Sequence, residues 1–114
     1  MMQRAHLREI MVNLLVNARE AAGENGVVQI SCRPSPDYAI ELRIKDFGVG
    51  IPLDQREQIF EAYFTTKKKG TGLGLAIVKQ NTELYGGEIV VESELGVGTE
   101  FILTFPTRVL RQKN

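Results

Sequence analysis

Apolar residues recur at helical spacing from the N-terminus: Leu7, Ile10, Met11, Leu14, Leu15 and Ala18. One face of a 3.6-residue period carries all six, which predicts a helix over residues 4–22, with Gly23 and Gly26 bracketing its exit. From Val27 the period changes to two. VVQISC and AIELRIKD alternate apolar with polar and predict a strand pair, joined by a turn containing Pro34, Pro36 and Asp37. The segment DFGVGIP leaves the second strand as a glycine-rich loop, and a short helix is predicted from Leu53 to Ile59. EAYFTTKKKG has no stable period and reads as a loop. A second long helix is predicted from Thr71 to Tyr85, stopped by Gly86 and Gly87. EIVVES and TEFILTF form the last strand pair across ELGVG. The order is helix, strand, strand, short helix, long helix, strand, strand. Strands with one apolar face need cover from the helix stripes, so the fold class is α/β: a two-layer sandwich whose mixed sheet is covered on one face by helices.

Composition narrows the function classes. The 114 residues suffice for one core, and 43% apolar with 25% charged residues is ordinary globular usage. Fourteen basic residues balance fourteen acidic ones, so the basic surplus of a nucleic-acid partner is missing. Cys32 is the only cysteine, which excludes an internal disulfide and a thiolate cluster; its place in an apolar alternation predicts a buried thiol. His6 is the only histidine, which argues against a multi-histidine metal site or a Cys/His nucleophilic pair; a role at the helix or edge is expected for it. No run approaches a membrane-spanning length and no signal peptide is visible, so direct membrane insertion is not expected of this segment. The tail from Arg108 to Asn114 is polar and is expected to fray.

Four stretches can carry chemistry. Asn13 and Asn17, in NLLVNAREA, share one helix face. Two amides there can supply neutral oxygens to a hard cation such as Mg2+ held with phosphate and water, or can simply face solvent. Asp46, at a strand end before Gly48 and Gly50, can accept an amino-group hydrogen bond such as that of adenine, or can serve a turn. KGTGLGL, from Lys69 to Leu75, precedes a helix whose first N–H groups have no partner within it, a ready anion site. Thr71 can cap it, and Lys67, Lys68 and Lys69 bring positive charge. The glycines follow a loop rather than a strand, so the dinucleotide-binding signature fails on context, and no GxxxxGK[ST] phosphate loop exists. GVGTEF, from Gly96 to Phe101, reads first as a tight hairpin, with Thr99 able to approach a base pocket from the adjoining strand.

Taken in order, these stretches resemble the family that unites bacterial sensor histidine kinases, DNA gyrase B, the Hsp90 chaperones and MutL. NLLVNAREA is similar to its N box, DFGVGIP to the first glycine box, IFEAYFTT to the F box, GTGLGLAI to the second glycine box and GVGTEF to the last glycine-and-threonine signature. The resemblance spans about His6 to Pro106, and its order and spacing match the histidine-kinase branch. It implies the Bergerat-type α/β sandwich over residues 1–107, with a polar tail at 108–114 and an early strand of the family missing ahead of the first helix. It also implies ATP and Mg2+ as cofactors: Asn17 as the metal ligand, Asn13 assisting around the phosphates, and Asp46 on the adenine amine with Gly48, Gly50 and Ile51. Gly70, Gly72 and Gly74 shape the phosphate end of a lid, with Thr71, Leu73 and Leu75 in the nucleotide-binding set and Thr99 beside the base. Lys67 matches the phosphate-contacting lysine of the short-lid, nitrogen-regulation type; Asn13, Asn17 and Lys67 are thus the catalytic candidates, while Phe60 and Phe64 anchor the lid.

The implied activity is transfer of the ATP γ-phosphate to a histidine on a separate dimerisation domain, with a response regulator downstream. His6 matches no acceptor motif. ATP-hydrolysing members carry a glutamate base where Asn13 stands, and an amide takes no proton from water at neutral pH, so efficient hydrolysis is disfavoured. Many members also carry a basic residue where Glu20 stands. A cytoplasmic domain is implied, with membrane anchorage of a longer parent and oligomeric state left open. An anti-sigma-type serine kinase and a non-catalytic, nucleotide-responsive interaction domain are the alternative readings.

Overall fold

A computed structural model describes residues 2–34, 40–62 and 74–106. Helix α1 (Arg4–Ala22) leads to strands β1 (Val28–Arg33) and β2 (Ile40–Asp46). Two single 3-10 turns, Leu53–Gln55 and Gln58–Phe60, precede helix α2 (Gly74–Leu84), and strands β3 (Glu88–Glu94) and β4 (Gly98–Phe105) complete the order. The sheet runs β1-β2-β4-β3. All three described ladders are antiparallel, where the sequence reading has a mixed sheet. The parallel relation survives in another form: β2 and β3 point the same way, but β4 lies between them, so the helical crossover joins strands that share no ladder.

The register aligns side chains in rungs that face the helices. Cys32, Leu42, Leu103 and Ile89 form one rung, and Ile30, Ile44, Phe101 and Val91 the next. Ile10, Leu14 and Ala18 of α1 and Val78 of α2 close over these rungs, and all four are buried. Asn81 Nδ2 of α2 donates to Glu9 Oε1 of α1 at 3.1 Å, and the Tyr85 hydroxyl accepts the Gln3 N–H at 3.0 Å. The same hydroxyl meets His6 Nδ1, so the lone histidine fastens the two helices at the edge of the layer, as expected of it. Gly23 ends α1 with φ 86°, its N–H reaching Arg19 O at 3.1 Å. The outer sheet face is charged: Glu41 accepts from Arg33 at 2.9 Å and from Arg43 at 3.0 Å, and Arg43 reaches Glu100 at 3.3 Å. The Arg43 and Arg33 guanidinium groups hold the Glu41 carboxyl below the usual carboxylate range.

Two expectations are corrected. Cys32 is exposed, not buried. Its alternation does place it on the helix-facing side, but β1 is an edge strand that the helix layer does not cover; Ile30, one rung along, is 52% exposed. The single short helix over Leu53 to Ile59 is instead two 3-10 turns. Of that segment only Ile59 is buried, while Leu53 is 76% exposed, so no apolar stripe exists to hold a continuous helix. Among the described residues no helix is long and apolar enough to cross a membrane.

Candidate functional site

One further rung tops the sheet, and it is polar on three of its four strands. Val28, Asp46, Thr99 and Ser93 stand opposite one another across β1, β2, β4 and β3. Asp46 is 1% exposed and Thr99 4%. The Asp46 carboxylate accepts the Gly48 N–H at 2.9 Å and the Thr99 N–H as well. No described ion pair reaches it. Burial therefore dominates and pushes the Asp46 carboxyl above its ordinary value, with the two amides opposing the shift. A buried carboxylate held by amides and facing no cation is suited to accept from a neutral donor such as an amino group.

The loop after Asp46 is wedged between two neighbours. A Cβ on Gly48 would lie 2.0 Å from Ala21 O in the last turn of α1. A Cβ on Gly50, where φ is 80°, would lie 2.4 Å from Glu94 O at the β3 end. Both glycines are thus required by backbone packing inside the fold, and access for a ligand is not needed to explain them. The Gly96 N–H reaches Val49 O at 2.8 Å, and Ile51 N–H donates to Ser93 Oγ at 2.7 Å. These contacts fix Ile51 beside the polar rung.

At the other end, Gly74 opens α2 directly against Asn13; a Cβ there would meet Asn13 Oδ1 at 2.9 Å. Asn13 Nδ2 donates to Glu9 O at 2.7 Å, which turns its Oδ1 toward the α2 start. Asn13, Asn17 and Ala21 follow one another at four-residue spacing on one face of α1. Asn13 touches the second glycine box and Ala21 the first, so half-buried Asn17 lies between them, on a face about 12 Å long. Leu75 is half-buried and packs on the core. Phe60 meets Phe101 edge to face at 6.1 Å, with Lys79 Nζ 5.8 Å from the Phe60 ring centre. Lys67, Gly70, Thr71, Gly72, Leu73 and Phe64 lie outside the described residues.

Sequence reasoning missed three contributors. Ser93 joins Ile51 N–H, Gly98 O at 2.9 Å and Thr99 Oγ1 at 2.8 Å. Arg56 Nη2 donates to the Ser93 carbonyl. Asn81 occupies Glu9. A signal for Ser93 was present in EIVVES, where it follows Ile89 and Val91 in the apolar register of its strand.

The chain matches known proteins over nearly its whole described length. Residues 2–109 match the family described as histidine kinase-, DNA gyrase B-, and HSP90-like ATPase. The sensor histidine kinase ZraS of Escherichia coli strain K12 is 41% identical over 106 residues, which is 93% of this chain but only 23% of that protein. The nucleotide-free catalytic domain of histidine kinase ThkA superposes with a TM-score of 0.82 at 36% identity, covering 92% of this chain and 68% of that one. Full-length ShkA in complex with AMPPNP gives 0.78 at 36% identity, covering 89% of this chain and 21% of that one. By the family match over residues 2–109 and these relatives, the chain belongs to the histidine kinase-, DNA gyrase B- and HSP90-like ATPases, on the sensor-histidine-kinase side.

Proposed function

We propose that this chain, over residues 1–107, binds Mg2+–ATP and passes the γ-phosphate to a histidine on a separate helical dimerisation domain, with a response regulator as the eventual acceptor. The observation that carries this reading is the α1 face on which Asn17 lies between the Asp46 loop and the start of α2. Adenine is assigned to the Asp46 end with Gly48, Gly50, Ile51 and Thr99, and the phosphates to the Asn13 and Gly74 end with Leu75. Lys67, Gly70, Thr71, Gly72 and Leu73 are assigned to the phosphates by their place in the sequence.

The donor set fits a magnesium ion. Asn17 is assigned as ligand with Asn13 in support, because neutral amide oxygens suit a hard cation that keeps water and phosphate oxygens around it. When bound, the metal supplies charge neutralisation at the phosphates. The chain's own contribution is to hold and orient the nucleotide. Glu9, the nearest carboxylate toward the N-terminus of the α1 face, is tied to Asn81 at 3.1 Å, and Asn13 carries no basic group, so these positions favour transfer over hydrolysis. An acceptor imidazole is already a nucleophile and needs no such base. The solved complex of ShkA with AMPPNP supports a nucleotide of this class.

Incubating the chain with ATP, Mg2+ and the parent's helical domain should give an acid-labile phosphohistidine; a folded mixture with saturating ATP and no such product would overturn the transfer reading. Asn17→Ala is expected to lower that transfer at least about tenfold, the scale found even for groups that only support metal ligands. In calorimetry the same variant should lose the strengthening of ATP binding by Mg2+. Mg2+ strengthening ATP equally in variant and parent would remove Asn17 from the metal site.

A further inference from the structure

We infer that Ser93 is a positioning residue for the base end of the nucleotide site, acting through Thr99 and Ile51; this rests on the nucleotide-binding reading above. A serine in the apolar register of β3 gives up hydrophobic burial next to Val91, and its contacts show what it does instead. Ser93 Oγ accepts the Ile51 N–H at 2.7 Å, lies 2.9 Å from Gly98 O as a donor, and lies 2.8 Å from Thr99 Oγ1. Its carbonyl is held by Arg56 Nη2. One hydroxyl therefore fastens the loop after β2, the β3–β4 hairpin and the buried threonine opposite Asp46.

Proton counting gives Ser93 a second effect. A hydroxyl has one proton and two acceptor lone pairs. When Ser93 donates to Gly98 O, Thr99 donates to Ser93 and has no proton to offer the site. When Ser93 donates to Thr99 Oγ1, the Thr99 proton is released toward a base acceptor. The serine thus sets whether Thr99 presents a donor or an acceptor, and it fixes the height of Ile51 at the pocket wall. Neither contact touches the phosphate end, which is built on α1 and α2.

Calorimetry of the whole chain with Mg2+ and AMP, ADP or ATP tests the assignment. Ser93→Ala should weaken all three by one common factor, about tenfold, as expected for losing a half-buried hydroxyl that joins three partners. Ser93→Thr, which keeps the hydroxyl, should recover affinity to within about threefold of the parent chain. A merely structural serine would lower the thermal midpoint and leave the affinity of the folded protein unchanged. If Ser93→Ala does not fold, Ser93→Cys replaces it, keeping size while losing the strong hydrogen bonds. A folded variant with parental ADP affinity, or with a loss that grows with phosphate number, overturns the role of Ser93 alone. A parent chain that binds none of the three overturns the nucleotide reading as well.

Discussion

Asp46→Asn should weaken adenine-nucleotide binding by about thirty- to a hundredfold while the domain stays folded, since a hydrogen bond to a charged group is worth roughly 2 to 3 kcal/mol. The substitution nearly preserves shape. It replaces one acceptor oxygen by an NH2 group, which confronts either a backbone N–H or the amino group of the base. Stability should depend on pH differently in the two proteins. Asp46 is buried, faces no described cation, and its carboxyl is pushed up by that burial. A carboxyl whose folded pKa is raised binds its proton more tightly in the folded state. Its contribution to stability is complete below the unfolded aspartate value and is lost as pH rises through the raised folded value. The other carboxyl groups are common to both proteins and cancel in a comparison. Denaturant titrations from neutral pH downward should therefore show the parent chain gaining on Asp46→Asn as pH falls. Loss of the fold together with binding would mean that Asp46 is a structural residue rather than the one that grips the base.

Gly48→Ala should fail in a different manner, losing stability and binding together. The added Cβ would lie 2.0 Å from Ala21 O and 2.5 Å from Ala21 C, both backbone atoms of a helix anchored by buried Ala18 and Leu14. Neither can rotate aside, so the loop must leave α1. Its departure carries off the Gly48 N–H that reaches Asp46 at 2.9 Å. The cost is set by overpacking and should be about 3 kcal/mol, read as a lower urea midpoint at unchanged slope. A midpoint close to that of the parent would show that the loop does not sit on α1 as described. The two variants separate the roles of neighbouring residues: one carries the chemistry and the other holds the wall against which that chemistry is placed.

Much of this was legible beforehand, for identifiable reasons. Long periodic segments declare themselves, and the predicted helix over 4–22 and the four strands differ from the structure by a residue or so. The strand-end position of Asp46 was legible because a carboxylate after an alternating run and before two glycines is a local pattern. Coverage was not legible. Cys32 and Ile30 obey the two-residue rule, yet the sequence does not say how far across the sheet the helices reach. The packing of Gly48 and Gly50 was not legible either, because their neighbours Ala21 and Glu94 are remote in the chain. Ser93 stood out in EIVVES by its alternation, but its partner Thr99 is set only by the strand register. Lys67 and the glycines from Gly70 to Gly72 rest on the sequence alone.

The most direct test is a crystal structure of the chain with AMPPNP and Mg2+. The adenine amino group should lie within hydrogen-bonding distance of the Asp46 carboxylate, with the metal on Asn17 Oδ1 and the phosphates toward Gly74. A nucleotide seated away from both Asp46 and Asn17 would contradict the account.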